Sequence, residues 1–541
     1  MRCGVAPIPA SSGETNRHLL NRGGDRIRVA TRSAPEISIS DSVLRMRRRV
    51  FLGVDIGTAS SKGVLATPGG EILRSAVRVH AVRRPQAGYV EMDGGTWWDE
   101  FVSIATELTA VGDVDVAAVG VSGMGPCLLV VDESDEPLRP AILYGVDTRA
   151  TAEIAALNDD LGAETILARC GSALSSQSVG PKLAWLRNHE ADVFARARRF
   201  YMPSSWLVRK LTGEYVLDLH SASHCTPLFD LQSLSWYRSW FDRIAPGLEL
   251  PPLQWPGESA GRTTASVAGI EAGVPVIVGT IDAWSEAVSV GAQRPGDLML
   301  MYGTTMFLIN TVRSPLTSAS MWGTVGALRG TRSLAGGMAT AGAITGWLRE
   351  LVGEPDFPTL LSEAEASGPG ARGLLMLPYF AGERTPIMDP DARGVIAGLT
   401  LTHTRGDLYR AALEATAFGV RHNIETIVGA GATIDRVVAV GGGAQGALWP
   451  QIVSDVTGLA QVIPTKTIGA SFGAAFLAAS LENDVDIDEW NLPAGRCEPE
   501  TANKAAYDEL YAHYLDLYPA TREISRSLAQ RQKSFTLKEH K

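Results

Sequence analysis

Residues 50–62 read VFLGVDIGTASSK. The apolar run 50–55, closed by Asp55, predicts a buried strand, and residues 56–61 a Gly/Ser/Thr turn. Residues 62–67 (KGVLAT) predict a second strand. After the turn Pro68-Gly69-Gly70, residues 71–80 (EILRSAVRVH) predict a third. Residues 97–110 (WWDEFVSIATELTA) have the spacing of an amphipathic helix, and residues 115–122 (DVAAVGVS) return as a core strand. A meander feeding a helix and then a parallel strand is an α/β architecture. It is not the strand–helix opening of a dinucleotide-binding unit.

The same opening recurs. Residues 298–302 (LMLMY), the turn Gly303-Thr304-Thr305 and residues 306–312 (MFLINTV) repeat strand, turn, strand. Two halves that begin alike predict two lobes, with residues 291–297 (GAQRPGD) as the hinge. The 541 residues are enough for two large domains or three to four ordinary ones. With 45% hydrophobic and 20% charged residues, wholesale disorder is excluded. A net charge of −10 argues against a general nucleic-acid binder. No apolar run reaches the ~18 residues of a membrane span, and no secretory signal is visible. Five cysteines without a CxxC pair fit a reducing cytoplasm.

Residues 1–49 differ from the rest, with ten Arg, no Lys and four acids. They read as a basic tail or transit-type peptide, or as upstream sequence ahead of a start at Met46, the favoured reading. At the other end, Tyr507, Tyr511, Tyr514 and Tyr518 recur at helical spacing as a core-facing stripe, and the last 20 or so polar residues are expected to fray.

Several stretches bear on chemistry. No GxxxxGK[ST] is present, which disfavours a P-loop. Gly441, Gly443 and Gly446 make a formal GxGxxG between a strand (436–440) and a helix. The acid expected about 20 residues on is missing, because the next strand runs into Thr465-Lys466-Thr467. Such a turn can still accept an anion or a nucleotide edge. Asp55, Gly57, Thr58, Ser60 and Lys62 combine a strand-end carboxylate, a close-approach glycine, hydroxyls and a lysine. That set suits water-held Mg²⁺ with phosphates on backbone N–H groups, and it also makes an ordinary polar hairpin turn. Asp282 ends the apolar stretch 274–283 and reads as a general base, as a helix N-cap for the run from Ala283, or as both. His220, His224 and Cys225 have zinc-ligand types without a second pair, and surface or pocket histidines are the favoured reading.

As a set these residues resemble the FGGY carbohydrate kinases. The resemblance runs from about residue 50 to 479, through FLGVDIGTASSKG (51–63), YVEMDGGTWWDEF (89–101), GTIDAWSEAVSVG (279–291), MYGTTMFLI (301–309), the GERTP block (382–419) and GASFGAAFLAA (469–479). It implies an α/β, two-lobed actin-like/ribonuclease H-like ATPase fold with a cleft between the lobes. It begins past the basic residues 1–49, which their composition marks as a leader expected to be disordered, and implies an N-terminal sugar-binding domain over 50–292. A C-terminal nucleotide-binding domain over 298–480 and a helical extension with tail over 481–541 follow. Asp282 matches the family's catalytic aspartate and Asp55 its Mg²⁺-organising carboxylate. Gly57, Thr58, Ser60 and Lys62 fall in the first phosphate loop, and Gly303, Thr304 and Thr305 in the second. Gly342, Gly442, Gly443 and Ala444 fall where the family holds ATP. Met124, Gly125, Pro126, Asp147 and Ala283, with Asp282, fall at the sugar.

The departures also sit at the sugar. Well-studied xylulokinases have Gln-Met-His-Gly where this chain has Met124-Gly125-Pro126-Cys127, and relatives often carry an amide at the position of Ala283. Tyr144 replaces Trp, and Ser204 or Ser205 replaces an Asp. The resemblance is nearest the xylulokinase-like branch and implies ATP-dependent phosphorylation of a ketopentose such as xylulose. The alternatives are an erythritol- or glycerol-like polyol or another ketose. More remote ones are an NAD-dependent oxidoreductase or a non-catalytic sugar sensor. The implied partners are a small sugar and ATP, with no nucleic acid and no membrane, and a homodimer is allowed.

Overall fold

The computed structural model describes residues 47–539, with side chains through 532. The expected leader falls mostly on residues 1–46, outside the described residues. Arg48 and Arg49, counted with the leader, already belong to the first strand.

Six strands make the main order of the first sheet: β1 (Arg48–Ile56), β2 (Ser60–Ala66), β3 (Ile72–Val79), β4 (Val114–Gly123), β5 (Ser259–Arg262) and β6 (Pro275–Ile277). The order is β5-β6-β4-β1-β2-β3, and Thr280–Ile281 also pairs with β4. β1, β2 and β3 form the antiparallel meander, while β4 runs parallel to β1 and β6 parallel to β4. The pairs Asp55↔Lys62 and Ile56↔Ser61 close the first hairpin and leave residues 57–60 as its turn.

The second sheet repeats this plan with β7 (Asp297–Tyr302), β8 (Met306–Val312), β9 (Trp322–Val325), β10 (Arg332–Met338), β11 (Arg436–Val440), β12 (Gln461–Pro464) and β13 (Pro493–Cys497). Its order is β9-β10-β8-β7-β11-β12-β13. β7, β8 and β10 are the meander, and β11 and β12 add in parallel. The two lobes are therefore topological copies around β1 and β7.

Helix α1 (Gly94–Thr109) covers the first sheet with Trp97, Phe101, Ile104 and Leu108. It begins three residues before the apolar period does, because Asp93 caps it by accepting from the Gly95 N–H at 2.9 Å. Three further helices matter for the site: α2 (Asp282–Ser289), at the end of the first lobe, and α3 (Gly342–Leu351) and α4 (Arg405–Gly429) of the second. A further helix, α5 (Ala470–Glu482), comes from the second half of the sequence and packs on β1 and β4 of the first sheet. It gets that close because no side chain intervenes. A Cβ at Gly53 would stand 2.0 Å from the Ser471 carbonyl oxygen, and one at Gly120 1.9 Å from that of Ala474. One apolar core consequently joins both sheets, with Phe51, Ala118, Met299, Val438 and Phe472 among its members.

The C-terminal helix α6 (Lys504–Glu539) continues through the segment expected to fray. Its Tyr507, Tyr511 and Tyr514 are buried against Phe418 of α4. The Tyr507 hydroxyl donates to Glu414 at 3.0 Å, and Tyr518 donates to Asp389 at 2.7 Å. Apolar burial by three tyrosines, each with its hydroxyl paired, outweighs the polarity of the tail.

Candidate active site

The β1–β2 turn is held from below. His80 follows β3, and its Nε2–H donates to the Gly57 carbonyl at 3.0 Å. Its Nδ1 lies 3.0 Å from Glu100 of α1, which also accepts from the Ser61 hydroxyl. Above the turn, the hydroxyls of Thr58 and Tyr144 share a hydrogen bond of 2.9 Å. Ser60 opens β2, and its carbonyl accepts from the Gly57 N–H at 3.1 Å. A loop tied at this many points has its N–H groups fixed before any ligand arrives.

Asp55 is the next-to-last residue of β1 and accepts from the Ser122 hydroxyl at 2.8 Å. Asp282 is the first residue of α2, one position further into the helix than the N-cap expected for a run from Ala283. Its carboxylate accepts from the Ala283 N–H at 2.7 Å. Burial raises both carboxyls above the usual range, and the Asp282 charge raises Asp55 further. Glu286, one turn along α2, is pushed up to about 7 by burial and then by Asp282, while Lys62 acts against that rise.

These three acids line one cavity of about 350 Å³. Tyr144, Gln177 and His224 join them from the first lobe, and Thr305, Phe307, Trp322 and Arg384 close it from the second. Trp284 stands between them, its indole N–H donating to Ser333 at 3.0 Å and His220 packed on it at 3.9 Å between ring centroids. A second cavity, of about 450 Å³, is lined by Tyr302, Gly303, Thr304, Gly342, Gly442 and Gly443 together with Tyr409 and Trp449. The turn 303–305 thus straddles the two, with Gly303 and Thr304 on one side and Thr305 on the other. It is locked to the start of α3: the Gly342 N–H donates to the Gly303 carbonyl at 3.0 Å, and the Ala343 N–H to that of Thr304 at 3.1 Å. A Cβ at Gly441 would meet the Tyr302 carbonyl oxygen at 2.5 Å, and one at Gly443 the Trp449 ring at 2.6 Å. The formal GxGxxG is therefore a wall of this cradle, opposite the second hairpin.

Some predicted site residues lie elsewhere. Asp147 is buried away from the cavity, its carboxylate accepting from the Val90 N–H at 2.6 Å and from Arg149 at 2.8 Å. Gly125 lines the first cavity, whereas Met124 is buried beneath it and accepts from the Thr58 hydroxyl through sulfur at 3.7 Å. Pro126 is not among the lining residues, and its carbonyl accepts from Lys182 at 3.5 Å. Ala283 does line the cavity, and Ala444 is buried outside the cradle. His220 is a core residue, its Nδ1–H donating to the Val325 carbonyl at 2.6 Å. Gln177, Trp284, Phe307, Trp322, Glu286 and Arg384 were not singled out in the sequence. Trp284, Glu286, Phe307 and Arg384 lie inside blocks that carried the resemblance, while Gln177 and Trp322 lie outside them.

The model of the FGGY family of carbohydrate kinases, N-terminal domain, matches residues 50–289, and the C-terminal domain model matches residues 298–481. The chain belongs to this family. It is similar to the xylulose kinase of Staphylococcus xylosus, 28% identical over 86% of this chain and 99% of that one. A glycerol kinase of Citrifermentans bemidjiense is 32% identical over 83% of this chain and 94% of that one. The crystal structure of xylulose kinase from Rhodospirillum rubrum superposes with a TM-score of 0.83 at 30% identity, covering 88% of this chain and all of that one. This FGGY protein is accordingly a carbohydrate kinase of xylulokinase-like type, with the two-lobed actin-like fold. Among its described residues no helix is long and apolar enough to cross a membrane.

Proposed function

We propose that the protein transfers the γ-phosphoryl group of ATP to a hydroxyl of a small sugar, a ketopentose such as xylulose, with Asp282 as general base. The observation that carries this reading is the position of the 303–305 turn. It places Thr305 in the cavity of Asp282 and Gly303 with Thr304 in the glycine-walled cradle, so a phosphate chain laid over the turn ends beside the base. Gly342, Gly442 and Gly443 would hold the nucleotide, and Gly57, Thr58, Thr304 and Thr305 its phosphates, through N–H groups and hydroxyls. Asp55 would hold Mg²⁺. Its carboxylate fits, since one oxygen is taken by Ser122 and Mg²⁺ needs only one or two protein carboxylates beside water and phosphate. The bound ion would neutralise charge on the phosphates.

Asp282 would orient the acceptor hydroxyl for in-line attack and take its proton; phosphoryl transfer depends mostly on such positioning and on electrostatics. Walls from both lobes would exclude water from the reacting atoms. A polyol or another ketose is the second reading, favoured by the 32% identity to a glycerol kinase and by the lack of a polar side chain at Ala283 on the cavity wall. Missing hydrogen bonds to substrate hydroxyls change discrimination by orders of magnitude. The test is ADP release with Mg·ATP over a panel of ketopentoses, ketohexoses and polyols. One strong acceptor is expected, with Asp282→Asn binding ATP normally and losing ~10²–10⁴-fold in turnover. Near-normal kcat in that variant would remove Asp282 from the chemistry.

A further inference from the structure

Arg384 enters the acceptor cavity from the second lobe. Its guanidinium makes one hydrogen bond, from Nη2 to the Met338 carbonyl at 2.6 Å. Its Nε is buried without a partner, and among the described residues no salt bridge involves it. Burial pulls its pKa below the ordinary arginine value. The acid beside it in sequence opposes that fall through its charge but makes no ion pair with it. Burial pushes Glu383 up to about 8, and one of its oxygens accepts from the Ala339 and Arg384 N–H groups while the other is buried unpartnered. A half-buried guanidinium facing a cavity with no salt-bridge partner is costly to leave unpaired, and its planar fork matches an oxyanion. The anion that would complete it has to come from a ligand in the cavity.

We propose, resting on the kinase reading, that Arg384 binds an oxyanion in the acceptor cavity: the phosphoryl group in transfer, or a carboxylate carried by the acceptor. The first-lobe wall holds Asp55, Asp282 and Glu286, so a cation on the opposite wall is what lets an anion enter beside three acids. Arg384 is carried by the second lobe and Asp282 by the first, so an anion bound between them also couples apposition of the lobes to the reaction.

The experiment compares the wild-type chain with Arg384→Gln and Arg384→Lys. Steady-state kinetics use neutral sugars and sugar acids, and tryptophan fluorescence is titrated with sulfate and with gluconate. Trp284 and Trp322 line the same cavity and report on it. If the oxyanion is the phosphoryl group, Arg384→Gln loses about 10²–10³-fold in kcat with neutral acceptors at unchanged acceptor KM, acceptor-free ATP hydrolysis falls with it, and the sulfate response disappears. If it is a carboxylate, sugar acids are substrates, Arg384→Gln raises their KM about 100-fold or more, and the gluconate response disappears while neutral acceptors are unaffected. Either pattern, with Arg384→Lys partly restoring it, supports the proposal. Unchanged kinetics and anion responses in a folded Arg384→Gln overturn it. If none of the acceptors is phosphorylated, the kinase reading fails, and the sulfate and gluconate titrations still decide Arg384.

Discussion

Glu383 has an ordinary value of 4.5 and is pushed up to about 8 by burial, against the pull of two N–H donors and Arg384. Between those values the unfolded chain has released the proton and the folded chain keeps it. Folding then takes up a proton, so this group's contribution to stability falls as pH rises through the window. A tenfold difference in proton affinity between the two states corresponds to about 1.4 kcal/mol. Glu383→Gln keeps the accepting oxygen and has no proton to lose. Its melting temperature relative to wild type is therefore expected to rise from pH 5 to pH 8.5 in scanning calorimetry, whereas parallel curves would place the carboxyl in a better-solvated site. Nothing near Glu383 in the sequence announces this, because its surroundings are assembled from Ala339 and the second sheet. The same holds for Gln177 and the His80–Glu100 pair. Asp55 and Asp282 were legible since each ends an apolar strand, a local pattern, whereas the others acquire their chemistry from partners far along the chain.

At the level of elements, the two hairpins were readable because a buried strand, a polar turn and a second strand leave a strong period-two and turn signal. Helix α5 was not readable in its role. GASFGAAFLAA says apolar helix, but only the fold shows that its small residues are a contact surface pressed onto β1, β4 and α2. A Cβ at Gly473 would stand 1.8 Å from the Ser285 carbonyl oxygen of α2, and backbone cannot yield as a flexible side chain does. Gly473→Ala is expected to destabilise by about 1–3 kcal/mol through overpacking. Gly346 provides the contrast, lying inside α3 with open space around its Cβ position. Gly346→Ala is expected to stabilise by up to about 1 kcal/mol, since alanine is the better helix former. Urea unfolding of both variants measures this, and equal effects would mean that helix propensity, not the α2–α5 contact, governs Gly473.

Across the whole molecule the two cavities differ in what they ask of the lobes. The glycine-walled cradle is lined by residues 302–449, while the cavity of Asp282 takes walls from both halves of the chain. Among the bonds that join the halves are one backbone bond and two side-chain-to-backbone bonds. The Gly323 N–H donates to the Gly171 carbonyl at 3.1 Å, Ser172 donates back to the Gly323 carbonyl at 3.0 Å, and Lys466 reaches the Gly70 carbonyl at 2.9 Å. A Cβ at Gly323 would meet the Gly171 carbonyl oxygen at 2.7 Å and that of Leu316 at 2.5 Å, so Gly323→Ala wedges this seam. A displacement of about 1 Å between base and phosphate can cost 10²-fold in rate. The wedged variant is therefore expected to bind ADP within about threefold of wild type by calorimetry while losing turnover by about that factor. Acceptor KM should rise as well, because Asp282 and Arg384 no longer face one another at their original separation. If ADP affinity fell as far as turnover did, the seam would be supporting the cradle itself, and the division of labour between the lobes would have to be redrawn.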